Sequence, residues 1–372
     1  MTDSREFIKQ GEFVFEFASR QLYNLVHNHP EKFPAYTKGG RWVELAPGWT
    51  RWTEGFLGGL LWIVYRVTGE KWFRVQAEHY CKLIEPRKTD GEVHDLGFLF
   101  WPTWKTWYDL TGDDSRKNVV IEAGKTLAGR FQESGGYLCS FQGAHSLYID
   151  IMMNVGLIFY AACETGSEQL MHVAMKHCLT TRRRLVRGDG STAHEGIFNT
   201  STGAFLFQST QQGWRSDSTW ARGLTWALYG FGTAYHFSHD VRFLNVAELI
   251  ADYYLRHTPE NGVPPNDWDE PAPKYRYESS AAAIAAAGFW QLSSLTEDPE
   301  RAEGYRNMTL RILDALISPE FLAYGDLGWE GILKHGIYHL PQNVGVDESL
   351  IWGDYYFLEA VSQVMRTLGV GE

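Results

Sequence analysis

Basic charge is scarce in this chain of 372 residues: 34 Lys and Arg stand against 45 Asp and Glu, a net charge of −11. Nucleic acid and anionic membrane are therefore poor partners, because both require a basic stripe that nothing here supplies. The short cluster Arg182-Arg183-Arg184 reads as a solvated helix face. Four cysteines occur, Cys81, Cys139, Cys163 and Cys178, without a C-x-x-C pair, so neither a disulfide framework nor a metal knuckle is expected. No apolar run approaches the roughly 20 residues that span a bilayer, and Met1-Thr2-Asp3-Ser4-Arg5-Glu6 lacks the apolar stretch of a secretory signal. A soluble, cytoplasmic protein is the expectation. A phosphate loop, a dinucleotide fingerprint and a Ser-centred nucleophile elbow are missing too. His335 and His339 lie four apart, but Gly336, Ile337, Tyr338 and Pro341 do not read as a ligand helix. His194-Glu195 is not followed by the second histidine of a zincin. No metal and no cofactor are expected.

What the chain does contain is apolar and aromatic residues, 44% and 15% of its length, enough for a large core. They are arranged in a repeat. Apolar runs rich in Gly, Ala and Trp end at Thr68-Gly69, Thr111-Gly112, Thr165-Gly166, Ser238-His239 and Thr296-Glu297, and a mixed polar run follows each. The upstream runs, such as Gly55 to Val67, Gly156 to Cys163, Leu224 to Tyr235 and Ala281 to Leu292, are apolar nearly all round, which predicts helices buried on every side. The downstream runs, such as Lys71 to Leu83, Ser115 to Leu127 and Val241 to Leu255, carry apolar residues at helical spacing, as an outer layer would. A sixth inner run begins at Ile351, and residues 4 to 27 supply the first outer helix. The pattern predicts an all-α protein, a single-domain (α/α)6 barrel over residues 1–372. An open solenoid of helix pairs is the competing architecture, but its period is usually stricter than the 43, 54, 73 and 58 residues between these turns. Long irregular stretches at 185–218 and 258–279 suit a barrel whose mouth carries function.

If the turns close one end, the inner-helix starts gather at the other. That rim collects Glu54, Asp95, Asp150, Arg222, Glu278 and Glu348 together with several tryptophans. Such a rim fits a sugar, whose C–H faces stack on aromatics and whose hydroxyls and carboxylate meet polar groups. Ordinary N-caps are the plain reading of Glu54, Glu348 and Ser349. Asp95, 16 residues before its Thr-Gly turn, and Asp150, 15 before its own, share a register. Asp150 lies between Ile149 and Ile151, where a lone carboxylate is costly unless paired or neutralised. Two acids beside a sugar suggest general acid/base work, the more desolvated one holding the proton, and Asp150 is the better candidate.

Trp52-Thr53-Glu54-Gly55-Phe56, His94-Asp95-Leu96-Gly97-Phe98, the Asp150 helix, Thr210-Gln211-Gln212-Gly213, Ser218-Thr219-Trp220-Ala221-Arg222-Gly223 with Trp226, and Ile351-Trp352-Gly353-Asp354-Tyr355-Tyr356 occur in one order. In that order they resemble the unsaturated glucuronyl hydrolases, glycoside hydrolase family 88. The resemblance implies an (α/α)6 barrel that removes a 4,5-unsaturated uronic acid from the non-reducing end of lyase-generated oligosaccharides, by protonating C4 of the enol ether and adding water at C5. It implies Asp150 as general acid/base and Asp95 as its support, both catalytic. His94, His194, Gln212, Trp220, Arg222 and Trp226 are implied as substrate-binding residues, and Arg222 as the anchor for an anionic sugar. The expected partner is an unsaturated uronic-acid oligosaccharide, with the protein a monomer or weak homo-oligomer. Gln211 stands where the family commonly has His, which bears on the leaving sugar more than on the reaction. The family 105 hydrolases of unsaturated rhamnogalacturonides share the barrel. The same residues are also compatible with a conventional inverting glycosidase acting on saturated glucuronides and with a non-catalytic sugar-binding protein.

Overall fold

The computed structural model describes residues 4–43 and 48–370. Its helices alternate between two layers, as the repeat predicts. The inner layer consists of α2 (Glu54–Thr68), the run α4 (Leu96–Phe100) to α5 (Thr106–Thr111), the pair α7 (Ile151–Asn154) and α8 (Gly156–Thr165), then α10 (Ala221–Ser238), α12 (Ser279–Leu295) and α14 (Ile351–Thr367). The outer layer consists of α1 (Ser4–Asn28), α3 (Lys71–Ile84), α6 (Asp114–Ala128), α9 (Glu168–Leu185), α11 (Val241–His257) and α13 (Pro299–Ile317). Each inner segment packs on the next, and α14 packs back on α2, with α1 across the seam. That closure distinguishes the (α/α)6 barrel from a solenoid.

The hairpin turns follow from one local chemistry. Thr68, Thr111 and Thr165 each donate their hydroxyl to the carbonyl four residues earlier, at 2.8, 2.9 and 2.6 Å. The next residue, Gly69, Gly112 or Gly166, takes a left-handed backbone that ends the helix (φ 70, 64 and 65°). The residue after that opens the outer helix, and Asp113 and Ser167 accept the N–H of Ser115 and Leu170 as N-caps. Ser238-His239-Asp240 repeats the scheme without glycine, His239 taking φ 53° and Asp240 capping Arg242.

Inner helices approach closely where they carry glycine. A Cβ on Gly55 would lie 2.1 Å from the Phe98 carbonyl oxygen, and one on Gly230 would lie 2.4 Å from that of Met152. Both obstacles are backbone, so neither can swing aside. Gly230→Ala is therefore expected to cost about 2–3 kcal/mol, the upper range for overpacking a core. Urea denaturation checks this, and an unchanged midpoint would refute it.

The rim is more ordered than irregular loops. Strands at Ser146–Tyr148, Glu195–Phe198 and Phe205–Ser209 form an antiparallel sheet, so the 185–218 stretch contributes two of its three strands. A second hairpin pairs Gly336–His339 with Val344–Glu348. The 258–279 stretch stays irregular apart from a bridge between Trp220 and Asp267. No described helix is long and apolar enough to cross a membrane.

Candidate active site

The two acids sit where caps would sit and do not cap. Asp95 is the residue before α4 and Asp150 the residue before α7, and neither side chain accepts a hydrogen bond from its helix. Glu278, before α12, shows the contrast: its carboxylate accepts from the N–H of Ser280 and Ala281 at 3.2 and 2.8 Å. Asp150 also lies at a strand-to-helix junction, not inside a helix as its apolar neighbours suggest. Its Oδ1 is buried with no hydrogen-bond partner.

Burial without bonds to the charged form raises a carboxyl pKa. Asp95 is pushed up to about 8, mainly by burial and then by the charge of Asp150. Asp150 is pushed up to about 7 by burial, with Arg222 pulling the other way. The sequence made Asp150 the more desolvated of the two; in the structure burial raises both, and Asp95 is itself only 6% exposed. Two such acids titrate as a pair, and near neutral pH the pair retains about one proton.

A buried neutral histidine orders this pair. His94 Nδ1 receives the Phe141 N–H at 3.0 Å, so its proton sits on Nε2, 3.3 Å from Asp95 Oδ1. Burial lowers the His94 pKa to about 3, so the ring stays a neutral donor. His194 is fixed in the same way, its Nδ1 accepting the Gln211 N–H at 3.1 Å, and it too is held neutral by burial.

Arg222 is 1% exposed and committed. One Nη donates to Gln212 Oε1 and to the Tyr338 carbonyl, both at 2.6 Å; the other donates to the Ile337 carbonyl and lies 3.7 Å from Glu278. Trp220 and Trp352 flank the guanidinium at 4.5 and 5.3 Å from their ring centres. Arginine has no acceptor, so the Gln212 oxygen faces it and the Gln212 NH2 is left for a ligand.

These groups surround a cavity of about 270 Å³. Of the expected residues, His94, Asp95, Asp150, Gln212, Arg222 and Trp226 line it. His194 and Trp220 do not; they pack behind, His194 against Tyr148 and Trp220 at 4.8 and 4.5 Å. Trp52 and Phe98 add to the aromatic wall, Trp52 donating to the Tyr338 hydroxyl at 2.8 Å. Phe141, Gln142, Tyr148, Gln211, Tyr338, His339 and Gln342 complete the lining. Tyr148 was within reach of sequence reasoning, being two residues from Asp150. Tyr338 and Gln342 gave no signal, and His339 was weighed only as a metal ligand with His335, because a hairpin from far along the chain delivers them. Among the described residues no group of His, Cys, Asp or Glu could hold a metal ion.

Three rim residues read as caps are structural by other means. Glu54 pairs with Arg51 and Arg87 at 3.0 and 2.6 Å. Glu348 accepts from the Thr37 hydroxyl and the N–H of Gly39 and Gly40. Ser349 donates to the Leu333 carbonyl and accepts from Trp329 Nε1.

No family model matches the chain. Known proteins do. The unsaturated glucuronyl hydrolase of Formosa agariphila is 30% identical over 363 residues, covering 92% of this chain and 89% of that protein. The chain belongs to the unsaturated glucuronyl hydrolase family. The unsaturated chondroitin disaccharide hydrolase of Streptococcus agalactiae is 31% identical over 364 residues, 94% of this chain and 90% of that one. The solved structure of the Bacillus sp. GL1 unsaturated glucuronyl hydrolase superposes with a TM-score of 0.90 at 30% identity, covering 98% and 97% of the two chains. The resemblance read from six short motifs thus extends over the whole barrel, and the chain is a glycoside hydrolase.

Membership does not alter the energetics of the acid pair. A carboxyl whose pKa is raised by folding stabilises the protein while protonated in both states, and that contribution is lost as pH rises through its folded value. Asp95→Asn should therefore raise the melting temperature by a few degrees at about pH 9 and hardly at all at about pH 4. Thermal unfolding at the two pH values tests this, and a gain equal at both would refute it.

Proposed function

We propose that this chain releases a 4,5-unsaturated uronic acid from the non-reducing end of lyase-generated oligosaccharides by hydrating the C4=C5 enol ether. The observation that carries the reading is the pair of uncapped, desolvated aspartates, both raised in pKa by burial, in a cavity the size of one sugar ring. In the first half-reaction Asp150 gives its proton to C4, and the positive charge left at C5 is shared with the ring oxygen. Asp150, now a carboxylate, takes a proton from water as that water bonds to C5. The resulting hemiketal opens to a ketone at C5, and the hemiacetal left at C1 releases the remaining sugar as an alcohol.

The other side chains assist each half. Asp95, whose Oδ1 lies 3.3 Å from His94 Nε2, helps keep a proton on the pair through the mutual repulsion of the two carboxylates. Arg222 favours the Asp150 carboxylate that the second step needs. With both Nη2 hydrogens held by Gln212 and Tyr338, it anchors the uronate through its charge and through the Gln212 amide it orients. Trp226 and Trp52 supply faces for the ring. His194 and Trp220 act as positioning residues behind Tyr148 and Arg222. We read the closed ring as one catalytic domain. The four unpaired cysteines suit a reducing compartment such as the cytoplasm.

Loss of the ultraviolet absorbance of the conjugated enol carboxylate, measured on unsaturated disaccharides, tests the reaction. Turnover of these and not of saturated glucuronides is expected. Because the donor must be protonated to begin, kcat/KM should fall as pH rises above about 7. Cleavage of saturated glucuronides without an absorbance change would replace this reading with an inverting glycosidase.

A further inference from the structure

We infer that the barrel carries a second binding cavity at its turn end, opposite the catalytic one, and that this cavity takes an uncharged sugar of one or two rings. Nothing in the site depends on the proposed reaction. The cavity measures about 590 Å³, against 270 Å³ for the catalytic one, and is formed by the far ends of the inner segments. Tyr160 of α8, Phe237 of α10, Gln291 of α12 and Glu359 of α14 line it. Phe98 lines both cavities and packs on Trp226 at 5.0 Å, which in turn packs on Tyr356 at 5.5 Å. These three rings divide the two spaces.

Two independent features mark a site and not a packing defect. Three buried polar atoms on its lining residues, the Tyr160 hydroxyl, Gln291 Oε1 and Gln363 Oε1, have no hydrogen-bond partner among the described residues. Such atoms are costly unless a ligand or water meets them. The catalytic cavity has the same signature in the Tyr148 hydroxyl and Asp150 Oδ1. In addition, the inner run from α4 to α5 makes a π-helical turn at Trp101–Lys105, and Trp101 and Lys105 line this cavity. Turns of that kind are rare and recur at functional sites.

The lining fixes the class of ligand. Trp101 meets Tyr160 and Phe237 edge-on at 6.0 and 6.1 Å, an aromatic surface on which the C–H faces of a sugar pack. Acceptors predominate among the polar groups: the two amide oxygens, and Glu359, which receives the Tyr229 and Tyr355 hydroxyls at 3.2 Å each and keeps a lone pair on both oxygens. A ligand rich in hydroxyl donors satisfies them. Charge disfavours an ionic one, because Lys105 is held by Asp109 at 2.6 Å, Glu359 opposes an anion, and Lys105 and Arg366 oppose a cation.

Titration calorimetry with glucose, N-acetylgalactosamine and lactose, on wild type, Ser294→Trp and Gln363→Leu, provides the test. Ser294 is exposed at the edge of the cavity, so an indole there fills the opening without entering the core. Gln363→Leu removes one acceptor and keeps the shape. Wild type should bind at least one of the three sugars with a roughly millimolar Kd. Ser294→Trp should abolish that binding and Gln363→Leu weaken it about three- to tenfold, the worth of one hydrogen bond, while both keep wild-type turnover of unsaturated disaccharides. Should Ser294→Trp fail to fold, Gln363→Leu decides alone. No saturable binding of any of the three by wild type would overturn the inference. So would binding that neither variant changes, which would place the sugar in the catalytic cavity, and so would tighter binding of glucosamine or glucose 6-phosphate than of glucose. Loss of turnover on unsaturated disaccharides in wild type would strike the proposed reaction and leave this site untouched.

Discussion

Asp150→Asn lowers kcat on an unsaturated uronic-acid disaccharide by roughly 10³- to 10⁴-fold or more, the range for a positioned proton donor, with KM changed by only a few-fold. The substitution keeps the shape of the side chain and removes both abilities the reaction asks of it, giving a proton to C4 and taking one from water. Binding survives because Asp150 Oδ1 bonds no protein group in the free enzyme, so no support collapses when it becomes an amide. Removing a buried acid also relieves the repulsion it exerts on Asp95, so the variant should melt no lower than wild type at neutral pH. Steady-state kinetics beside a melting curve provide the check. Activity within tenfold of wild type would show that another group delivers the proton.

Arg222→Met has the largest expected effect on stability, about 3–5 kcal/mol, the cost of leaving one partner of a buried ion pair unpaired. Glu278, which is fully buried, would lose its counter-charge, and the Ile337 and Tyr338 carbonyls would lose their donor. The hydrogen bonds Glu278 receives from the N–H of Ser280, Ala281 and Ile337 soften the loss without replacing the charge. Adding Glu278→Gln to the variant should recover part of the stability and none of the activity, because Gln212 would still lack its orienting bond and Asp150 its cation. Chemical denaturation of the single and double variants measures the first half, and kcat/KM the second. Full activity in the double variant would sever Arg222 from the chemistry.

Legibility followed the distance over which each feature is encoded. The barrel was readable because its turns are local: a hydroxyl four residues from its acceptor, a left-handed residue next, a cap after that. The acids were readable because they recur at inner-helix starts. What sequence could not convey was direction. Asp95 and Asp150 occupy cap positions without capping, while Glu278 at the equivalent place caps in earnest, and nothing in residue type separates them. Arg222 looked like a free anchor until its partners, more than a hundred residues away on the Gly336–His339 strand, were in place. His194 and Trp220 were placed against the substrate and stand one layer behind it, because a motif fixes neighbours along the chain and not depth in a cavity. Strands of two to five residues left too short an alternation to read.

The contact between α14 and α2 bears on how the protein is made. In a solenoid each new repeat covers the one before it, so a growing chain can fold as it emerges. Here α2 emerges early and its final partner, residues 351–367, emerges almost last. Throughout synthesis the inner faces of five segments must wait beside an open gap, exposing the Ala- and Trp-rich surfaces that later line the core. A nascent chain stalled before Ile351 lacks the segment that covers the open side of α2.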